Sequence, residues 1–553
     1  MLLSLLPLAS SAQETTPPAI SVSARDWTSW GYDQERSGWN RGETTLSKAN
    51  VSKLTLLWNT ELSTPPADVV LSTLTAPIVV EGVQTQAGAK NLVLLLGADD
   101  TLFALDADAG KVLWQKTFHN PLVPQRPATW LCSNTAQDTP VVDRQRGVVY
   151  LIASDGKLRA LALADGAERM TPTDFIAPFS RAWSLNLIDN VVYTTNALSC
   201  GNVVDGAIAA ASVPVRGTNG TITRLEPGSI SAMDVSDPAH PVATHFYTSG
   251  GRQSGPWGRG GVARAPRGIV TQTADGLYDP AAGAFGDTLL VLSPKAARLV
   301  DSFTPANQKY LLARDLDFSS GSPIVFPFAG KTLIATAGKE GILYLLDADN
   351  AGGGAPDHSA YLYKSPLLGN DAALGTQPGQ GMWGAMATYQ NAEGKRFLYM
   401  PMWGPPSKTA PAFAHDNGPI PNGSIMAFQL AEDQGKISAL PLWTSPDMTV
   451  PDAPVVANGV VYAVQTGEQT LQAIPAAPGQ PRPVANPSTN GATFRATPVG
   501  NLILYALDAE TGKPLYSSKK IIPGWTHFSE PVVALGKVFV VTHDAHLYAF
   551  GLK

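Results

Sequence analysis

Tryptophan recurs in one kind of position along this chain, in the loop that precedes a segment of alternating apolar residues. An indole ring offers a flat apolar face on which another planar ring can stack. One such tryptophan is unremarkable, but several in equivalent loops indicate an aromatic-walled pocket, unless the rings pack on one another instead. The five residues are Trp130, Trp183, Trp257, Trp383 and Trp525.

Basic side chains lie close in sequence to these tryptophans. Guanidinium and ammonium groups bind carboxylates, so they would suit an acidic ligand beside the rings. Lys339 lies in a predicted turn, AGKEG, where a solvated lysine is an equally good interpretation. The other basic residues are Arg181, Arg252 and Arg259.

Other kinds of site have weaker support. The Asp-Leu-Asp sequence at 315–317 looks like a metal motif, although acidic pairs in loops are usually solvated. The histidines lack the i, i+4 spacing of a helical zinc site, and no G-x-S-x-G nucleophile motif occurs. His527 is the only histidine that we place near the tryptophans, and a surface position at a strand start is the favoured alternative.

These loops must be positioned by a repeated β-rich unit, which is clearest in LVLLLGADDTLFALDADAGKVLWQ. Alternating and β-branched residues predict strands there. The Asp-rich turn ending in Gly110 supplies the positive φ that a tight hairpin needs. The four predicted strands cover residues 75–80, 92–96, 102–106 and 111–115.

Less regular copies of the unit follow along the rest of the chain. The last copy stops after its third strand, whereas residues 54–59 match only a fourth strand. Joining the two closes a ring and hides the sheet edges. We therefore predict an all-β, eight-bladed β-propeller, with seven blades as the alternative. The copies cover residues 138–169, 184–247, 260–303, 321–363, 383–443, 452–517 and 530–553.

The N-terminal residues and the composition indicate the cellular location, the domain organisation and the classes of partner to exclude. The short apolar run MLLSLLPLASSA, residues 1–12, predicts a signal peptide and therefore a periplasmic or secreted protein, with a buried N-terminal segment as the alternative. Residues 13–50 are a predicted leader and extension, and 51–553 a single propeller. No apolar run is long enough to span a membrane. A net charge of −6 without a basic block argues against a nucleic-acid partner.

Cys132 and Cys200 are the only cysteines. Both lie in loops beside predicted strands of neighbouring repeats, and an exported protein usually pairs its cysteines. We predict one disulfide, with two buried thiols as the alternative.

Two stretches resemble the signature of the pyrroloquinoline-quinone (PQQ) repeat, GTLYALDAxTGKxLW. They are TLFALDADAGKVLW at 101–114 and LILYALDAETGKPLY at 502–516. The resemblance covers nearly all of the predicted mature chain and implies a propeller whose terminal tryptophans pack between adjacent blades. It implies less about activity, because the repeat also occurs in cofactor-free propellers such as the outer-membrane assembly lipoproteins.

Longer stretches are similar to the quinoprotein alcohol dehydrogenases. They are DWTSWGYDQERSGWN with LSKANVSKLTLLW, GRGGV with TQTADGLYD and FGDTLLVLSP, and AGKEGILYLLDADN. This resemblance implies a PQQ- and calcium-dependent dehydrogenase that oxidises an alcohol or aldehyde and passes electrons to an external acceptor.

The same resemblance implies roles for individual residues. Asp287 matches the family's catalytic base, which also ligates calcium, and Asp275 matches its metal-binding Asn. Lys339 stands where the family places a basic residue near the quinone oxygens. Trp257 would stack on the quinone, and Arg259 would bind its oxygens or carboxylates. The implied cofactor-binding set is completed by Trp383 and Trp525.

The chain also departs from the dehydrogenase pattern. The glutamate that supplies a third metal ligand has no counterpart, and Asn202 and Asp205 are the only candidates nearby. The adjacent cysteine pair that covers the quinone is absent, and no C-x-x-C-H motif occurs, so we expect no c-type haem. These departures favour the alternative, a non-catalytic propeller that binds a protein or a glycan.

Overall fold

The computed structural model describes residues 25–65, 73–124, 128, 132–135, 138–197, 200, 212–216, 222–251, 253–371, 380–468 and 498–553. The predicted signal peptide lies outside these residues, as do Trp130, Arg252, Asn202 and Asp205. Within them, none of the helices has the length and apolar character needed to cross a membrane.

Eight four-stranded antiparallel sheets form a ring, which confirms the predicted eight-bladed β-propeller. In each blade the first strand lies innermost, and short turns join it to the second. Blade 1 comprises Ile78–Thr85, Gly88–Leu96, Thr101–Asp106 and Val112–Thr117. Blade 2 comprises Val141–Asp143, Val148–Ile152, Lys157–Ala162 and Thr173–Asp174. Blade 3 comprises Asn186–Ile188, Val191–Asn196, Ser229–Asp234 and Val242–Tyr247. Blade 4 comprises Ala263–Ala265, Gly268–Gln272, Leu289–Leu292 and Leu299–Phe303.

The second half of the ring repeats this arrangement. Blade 5 comprises Ile324–Phe328, Lys331–Thr336, Tyr344–Asp347 and Tyr363–Lys364. Blade 6 comprises Ala387–Gln390, Arg396–Trp403, Gly423–Asp433 and Lys436–Thr444. Blade 7 comprises Val455–Ala457, Val460–Gln465, Ile503–Asp508 and Pro514–Ser517. Blade 8 comprises Val532–Ala534, Lys537–Val541, His546–Gly551 and, from near the N-terminus, Thr55–Glu61.

Short elements decorate the blades. Two-residue strands are Trp39–Asn40, Tyr278–Asp279, Ala284–Phe285, Gly321–Ser322, Gly381–Met382, Gly384–Ala385 and His415–Asp416. A separate hairpin pairs Val213–Arg216 with Ile222–Leu225. Among the described residues, the helices are the α-helix Gln308–Arg314 and the 3-10 turns Val51–Lys53, Pro280–Ala282, Pro294–Ala296 and Phe318–Ser320.

Blade 8 closes the ring in the way that the repeat pattern predicts. Thr55–Glu61 runs antiparallel to His546–Gly551, with Thr55 opposite Gly551 and Glu61 opposite His546. The observed strand extends two residues beyond the predicted 54–59. The last sheet therefore joins residues from both ends of the chain, so the ring cannot open without breaking this ladder.

A second closure lies at the centre of the ring, where residues 27–40 run past all eight blades. This N-terminal segment makes at least one hydrogen bond to the innermost strand of each. The bonds, in blade order, are Trp27 N to Val79 O (2.8 Å), Val142 N to Thr28 O (2.9 Å), Asn186 Nδ2 to Gln34 O (2.9 Å), Arg264 N to Gln34 O (2.8 Å), Val325 N to Glu35 O (3.0 Å), Thr388 N to Ser37 O (2.9 Å), Val456 N to Gly38 O (2.7 Å) and Asn40 Nδ2 to Val533 O (2.7 Å).

Arg36 fixes the N-terminal segment from within. Its side chain is 1% exposed and donates to the carbonyl oxygens of Trp30 (2.5 Å), Leu185 (2.9 Å) and Val262 (3.1 Å). Burial lowers the pKa of this guanidinium to about 9. The cost of burying the charge is offset by hydrogen bonds to carbonyl groups that would otherwise be unsatisfied.

Adjacent blades are joined by a contact between the repeat's tryptophan and its glycine. The indole of Trp58 donates to Ala107 O (3.3 Å) in the turn of blade 1, which ends at Gly110. Gly110 has φ +70°, and a Cβ there would lie 2.6 Å from the Trp58 ring. The indole of Trp114 reaches Leu163 O in blade 2 in the same way (3.0 Å). The tryptophan of the repeat signature in one blade therefore packs on the glycine turn of the signature in the next blade.

Replacing Gly110 by alanine tests this contact. The left-handed backbone alone costs about 1–2 kcal/mol, and the collision with Trp58 adds about 1–3 kcal/mol. Gly330 is the matched control, since its φ is +75° but a Cβ added to it would have no other atom within 4 Å. We expect Gly110→Ala to lower the melting temperature clearly more than Gly330→Ala. Equal shifts in a thermal unfolding scan would contradict the proposed packing.

Candidate functional site

The loops that enter the innermost strands and those that join second to third strands share one face of the ring, because strand direction alternates across each blade. We call it the loop face. It carries those tryptophan, arginine, aspartate and lysine residues singled out from the sequence that the structure describes, which leaves out Trp130 and Arg252. The opposite face carries the tight turns between first and second strands.

A charged cluster forms on the loop face around Lys339. The Lys339 ammonium lies 2.5 Å from Asp317 Oδ2, 3.2 Å from the Asp315 carbonyl oxygen and 3.8 Å from Asp315 Oδ1. Carboxylate oxygens of Asp275, Asp315 and Asp317 lie within 4.8 Å of one another. Burial lowers the pKa of Lys339, but the charges of Asp315 and Asp317 outweigh it and raise that pKa above its usual range.

Asp287 lies beside this cluster but is fully buried. Its carboxylate accepts hydrogen bonds from Phe318 N (3.1 Å) and from the Gln308 amide (3.4 Å). Burial, followed by the charge of Asp317, raises the pKa of Asp287 well above its usual range. The loop at 315–318 thus connects Asp287, by way of Phe318, to the cluster around Lys339.

Three tryptophans of the loop face, Trp183, Trp257 and Trp383, pack in one group of aromatic rings. Trp257 and Trp383 have ring centroids 5.2 Å apart, and Trp383 stacks on Trp403 at 4.5 Å with planes inclined by only 3°. Trp183 meets Phe528 edge-on at 5.4 Å. The exposed fractions of Trp183, Trp257 and Trp383 are 4%, 7% and 4%. Of the two alternatives raised by the sequence, the structure has the packed rings. We call Trp183, Trp257, Trp383, Trp403 and Phe528 the aromatic cluster.

Arginine side chains pack against the aromatic cluster. Arg259, 2% exposed, forms a short buried ion pair with Asp452, which precedes the innermost strand of blade 7. Its guanidinium also lies 4.2 Å from the centroid of the Phe528 ring. Arg181 lies over Trp183 and Trp257 at 5.6 and 5.5 Å. The Lys339 ammonium lies 5.6 Å from the Trp257 centroid and 5.2 Å from that of Trp383.

The other candidates lie apart from this cluster or beside it. Trp525 stacks on His543 at 4.4 Å and does not join the aromatic cluster. His527 is fully buried, pairs with Glu468 (Nδ1 to Oε2, 2.5 Å) and stacks on Phe528. Cys132 and Cys200 form the predicted disulfide, with Cα atoms 5.5 Å apart.

Sequence reasoning overlooked several residues that complete the site. Trp403 ends the second strand of blade 6, where the pattern YMPMW reads as an ordinary buried strand. Asp452 pairs with Arg259, and Glu468 pairs with His527, only once the blades come together in the ring. The Asp-Leu-Asp motif was the available signal for Asp315 and Asp317, and both of its carboxylates face Lys339.

Comparison with known proteins places this geometry in a fold. Residues 47–199 match the family model described as outer membrane protein assembly factor BamB. Among solved structures, quinohemoprotein alcohol dehydrogenase from Comamonas testosteroni aligns with a TM-score of 0.58 at 14% identity, covering 96% of this chain and 81% of that one. The fold is the β-propeller fold of that dehydrogenase. A europium-containing methanol dehydrogenase aligns with a TM-score of 0.57 at 12% identity, covering 96% of this chain and 98% of that one. No curated protein matches the chain in sequence.

The loop face of this propeller does not fit the quinone in the arrangement observed. A planar ring held between two indoles needs about 3.5–4 Å on each side, whereas Trp383 and Trp403 are in direct contact at 4.5 Å. The two basic groups implied as quinone partners are engaged, Lys339 by Asp317 and Arg259 by Asp452. The three clustered carboxylates are of the type that calcium binds, but the Lys339 ammonium lies against them.

Lys339→Met tests whether the charged cluster is held together by its ammonium. Methionine has a similar length but leaves the buried Asp317 without its counter-ion, which costs about 3–5 kcal/mol. We expect a large fall in the melting temperature. Lys331→Met is the matched control, because the Lys331 pair with Asp347 (2.6 Å) is exposed. A Lys339→Met protein as stable as the control would contradict this role.

Three buried acids predict an unusual pH dependence of stability. Burial raises the pKa of Asp138 and Glu226 to about 7, and burial followed by the charge of Asp452 raises that of Glu530 to about 8. Unfolded carboxyls titrate near about 4, so the folded state binds more protons between pH 4 and 8 and loses stability as pH rises.

We therefore expect the melting temperature to fall from pH 5.5 to pH 8.5. Asp138→Asn keeps an acceptor for the Thr194 hydroxyl (2.9 Å) while removing the titration, so it should flatten the profile. Differential scanning calorimetry across this range measures both. A profile that rises with pH, or one that Asp138→Asn leaves unchanged in slope, would overturn the assignment.

Proposed function

We propose that this protein is a non-catalytic PQQ-repeat propeller that binds a protein partner through its loop face. The observation that carries the proposal is the packed aromatic cluster. The rings already contact one another, and the basic groups beside them already pair with carboxylates. The loop face is therefore a preformed rigid surface and not an open cofactor pocket.

Exposed apolar side chains on the loop face support a protein partner. Contiguous apolar surface marks an interaction site in many soluble proteins, and these side chains supply apolar surface to the loop face. Among the described residues, the only aromatic of comparable exposure is Tyr361, which precedes the outermost strand of blade 5, so a stacking surface for sugar rings has less support. The loop-face residues and their exposed fractions are Leu122 (49%), Val123 (78%), Leu277 (64%), Val499 (52%) and Ile521 (46%).

Two further features agree with this proposal. The family model that matches residues 47–199 is described as that of an assembly factor, a protein that acts on other proteins. The Cys132–Cys200 disulfide suits an oxidising compartment. Together with the apolar residues 1–12, it supports a periplasmic or secreted location for the interaction.

A second candidate is the dehydrogenase that the sequence resemblance implies. The observation in its favour is that Asp275, Asp317 and Lys339 meet beside the Trp257 and Trp383 rings. In this case Lys339 and Arg259 would hold PQQ, and Asp275 and Asp287 would hold calcium. The bound groups would supply the chemistry for oxidising an alcohol or aldehyde, with an external acceptor for the electrons. Asp287 would be the proton-accepting group. This candidate requires the rings to separate before the quinone can enter.

Titration with PQQ and calcium separates the two candidates. The purified protein is mixed with both, quinone uptake is followed by calorimetry and absorbance, and dye reduction is assayed with ethanol and acetaldehyde. We expect no saturable uptake and no dye reduction. Uptake with dye reduction that Asp287→Asn abolishes would overturn the non-catalytic proposal and establish the dehydrogenase.

Site-specific cross-linking in the native cell tests the partner surface. A photoreactive residue at Val123 or Leu277 is expected to capture the same protein, because both positions face outwards on the loop face. Val242 (63% exposed) and Leu440 (48% exposed), on outermost strands, are the matched controls and should capture none of it. Equal capture from all four positions would contradict docking through the loop face.

A further inference from the structure

A cavity of ≈ 740 Å³ lies on the face opposite the loop face. It is enclosed by the first turns of blades 3, 4 and 5 and by the N-terminal segment. Its size falls within the range of small-molecule sites, about 300–1,000 Å³. Much of its wall is apolar, including Ile188, Val191, Ile269, Val325 and Phe326.

The basic residues that line the cavity all have acidic partners. The acid that pairs with Lys295 does not line the cavity, whereas the acids that pair with Arg41 and Arg264 do. None of the three therefore offers an uncommitted positive charge to a ligand. The pairs are Arg41 with Asp33 (2.7 Å), Arg264 with Asp189 (3.5 Å) and Lys295 with Asp234 (2.7 Å).

Glu35 is the remaining charged group of the wall. Within the described part of the chain, its carboxylate forms no salt bridge and no side-chain hydrogen bond with another residue. Its position is fixed, since its carbonyl oxygen accepts from Val325 N (3.0 Å). Burial and the neighbouring Asp33 raise the pKa of Glu35, and the more weakly acting Arg264 and Arg41 do not reverse this.

We propose that this cavity binds an organic monocation, with its ammonium group against the Glu35 carboxylate and its apolar body against the wall. The Glu35 side chain is half-buried where it lines the cavity. A cation bound there would replace the favourable interactions that the carboxylate loses by leaving water. An anion would meet the Glu35 charge with every nearby cation already paired. The site lies on the opposite face from the partner surface and does not depend on it.

Isothermal titration calorimetry with three matched probes tests the proposal. The probes are 2-phenylethylammonium, its neutral analogue 2-phenylethanol and the anionic 3-phenylpropionate. We expect saturable binding of the ammonium alone. Glu35→Gln preserves shape and removes the charge, so it should weaken binding at least about tenfold. Glu61→Gln, on the exposed face of the blade 8 outer strand, is the control and should bind like the wild type.

Three outcomes would overturn the proposal: no saturable heat up to about 10 mM ammonium probe, equal affinity for the alcohol, or full affinity in Glu35→Gln. If Glu35→Gln melts far below the wild type, Glu35→Asp replaces it, and retained binding in that variant is the expected result while its loss overturns the proposal. Neither probe nor variant touches the loop face, so these outcomes are independent of the cross-linking result.

Discussion

The hydrogen bonds between the N-terminal segment and the innermost strands are the constraint on which the rest of the structure depends. Each blade contributes at least one backbone or side-chain group to residues 27–40. A few residues later, Thr55–Glu61 completes blade 8. One stretch of chain thus closes the ring twice, once at its axis and once at its circumference, and this fixes the loops of the loop face relative to one another.

Within that rigid frame, the chemistry of the loop face is set by ion pairs between its charged side chains. Lys339 is matched by Asp317 and Arg259 by Asp452, so the positive charges are neutralised within the protein. The aromatic cluster lies against both basic groups and excludes water from them. Low local polarity strengthens such pairs when they are complete and makes them costly to break, which favours a stable surface over a site that must admit a charged cofactor.

The sequence predicted what is encoded locally. The turn at Gly110 and the tryptophans of the repeat recur at regular spacing, so blade number, strand order and the closing strand could be derived from them. The aromatic cluster and the Arg259–Asp452 pair could not, because their members are distant in sequence, 193 positions for the latter. Residues 27–40 carry no periodic pattern. Their role follows from the carbonyl and amide groups that eight converging strands leave unsatisfied at the axis, which only the assembled ring reveals.

The double closure also gives the fold a strict order of assembly. Thr55–Glu61 is synthesised early but cannot pair until His546–Gly551, from the other end of the sequence, is available. Until then the chain carries an unpaired strand edge, a feature that chaperones and proteases recognise. Asn40, which bonds to Val533, has the same dependence. A chain that lacks its last repeat would therefore keep that edge exposed and open to pairing with a strand of another chain.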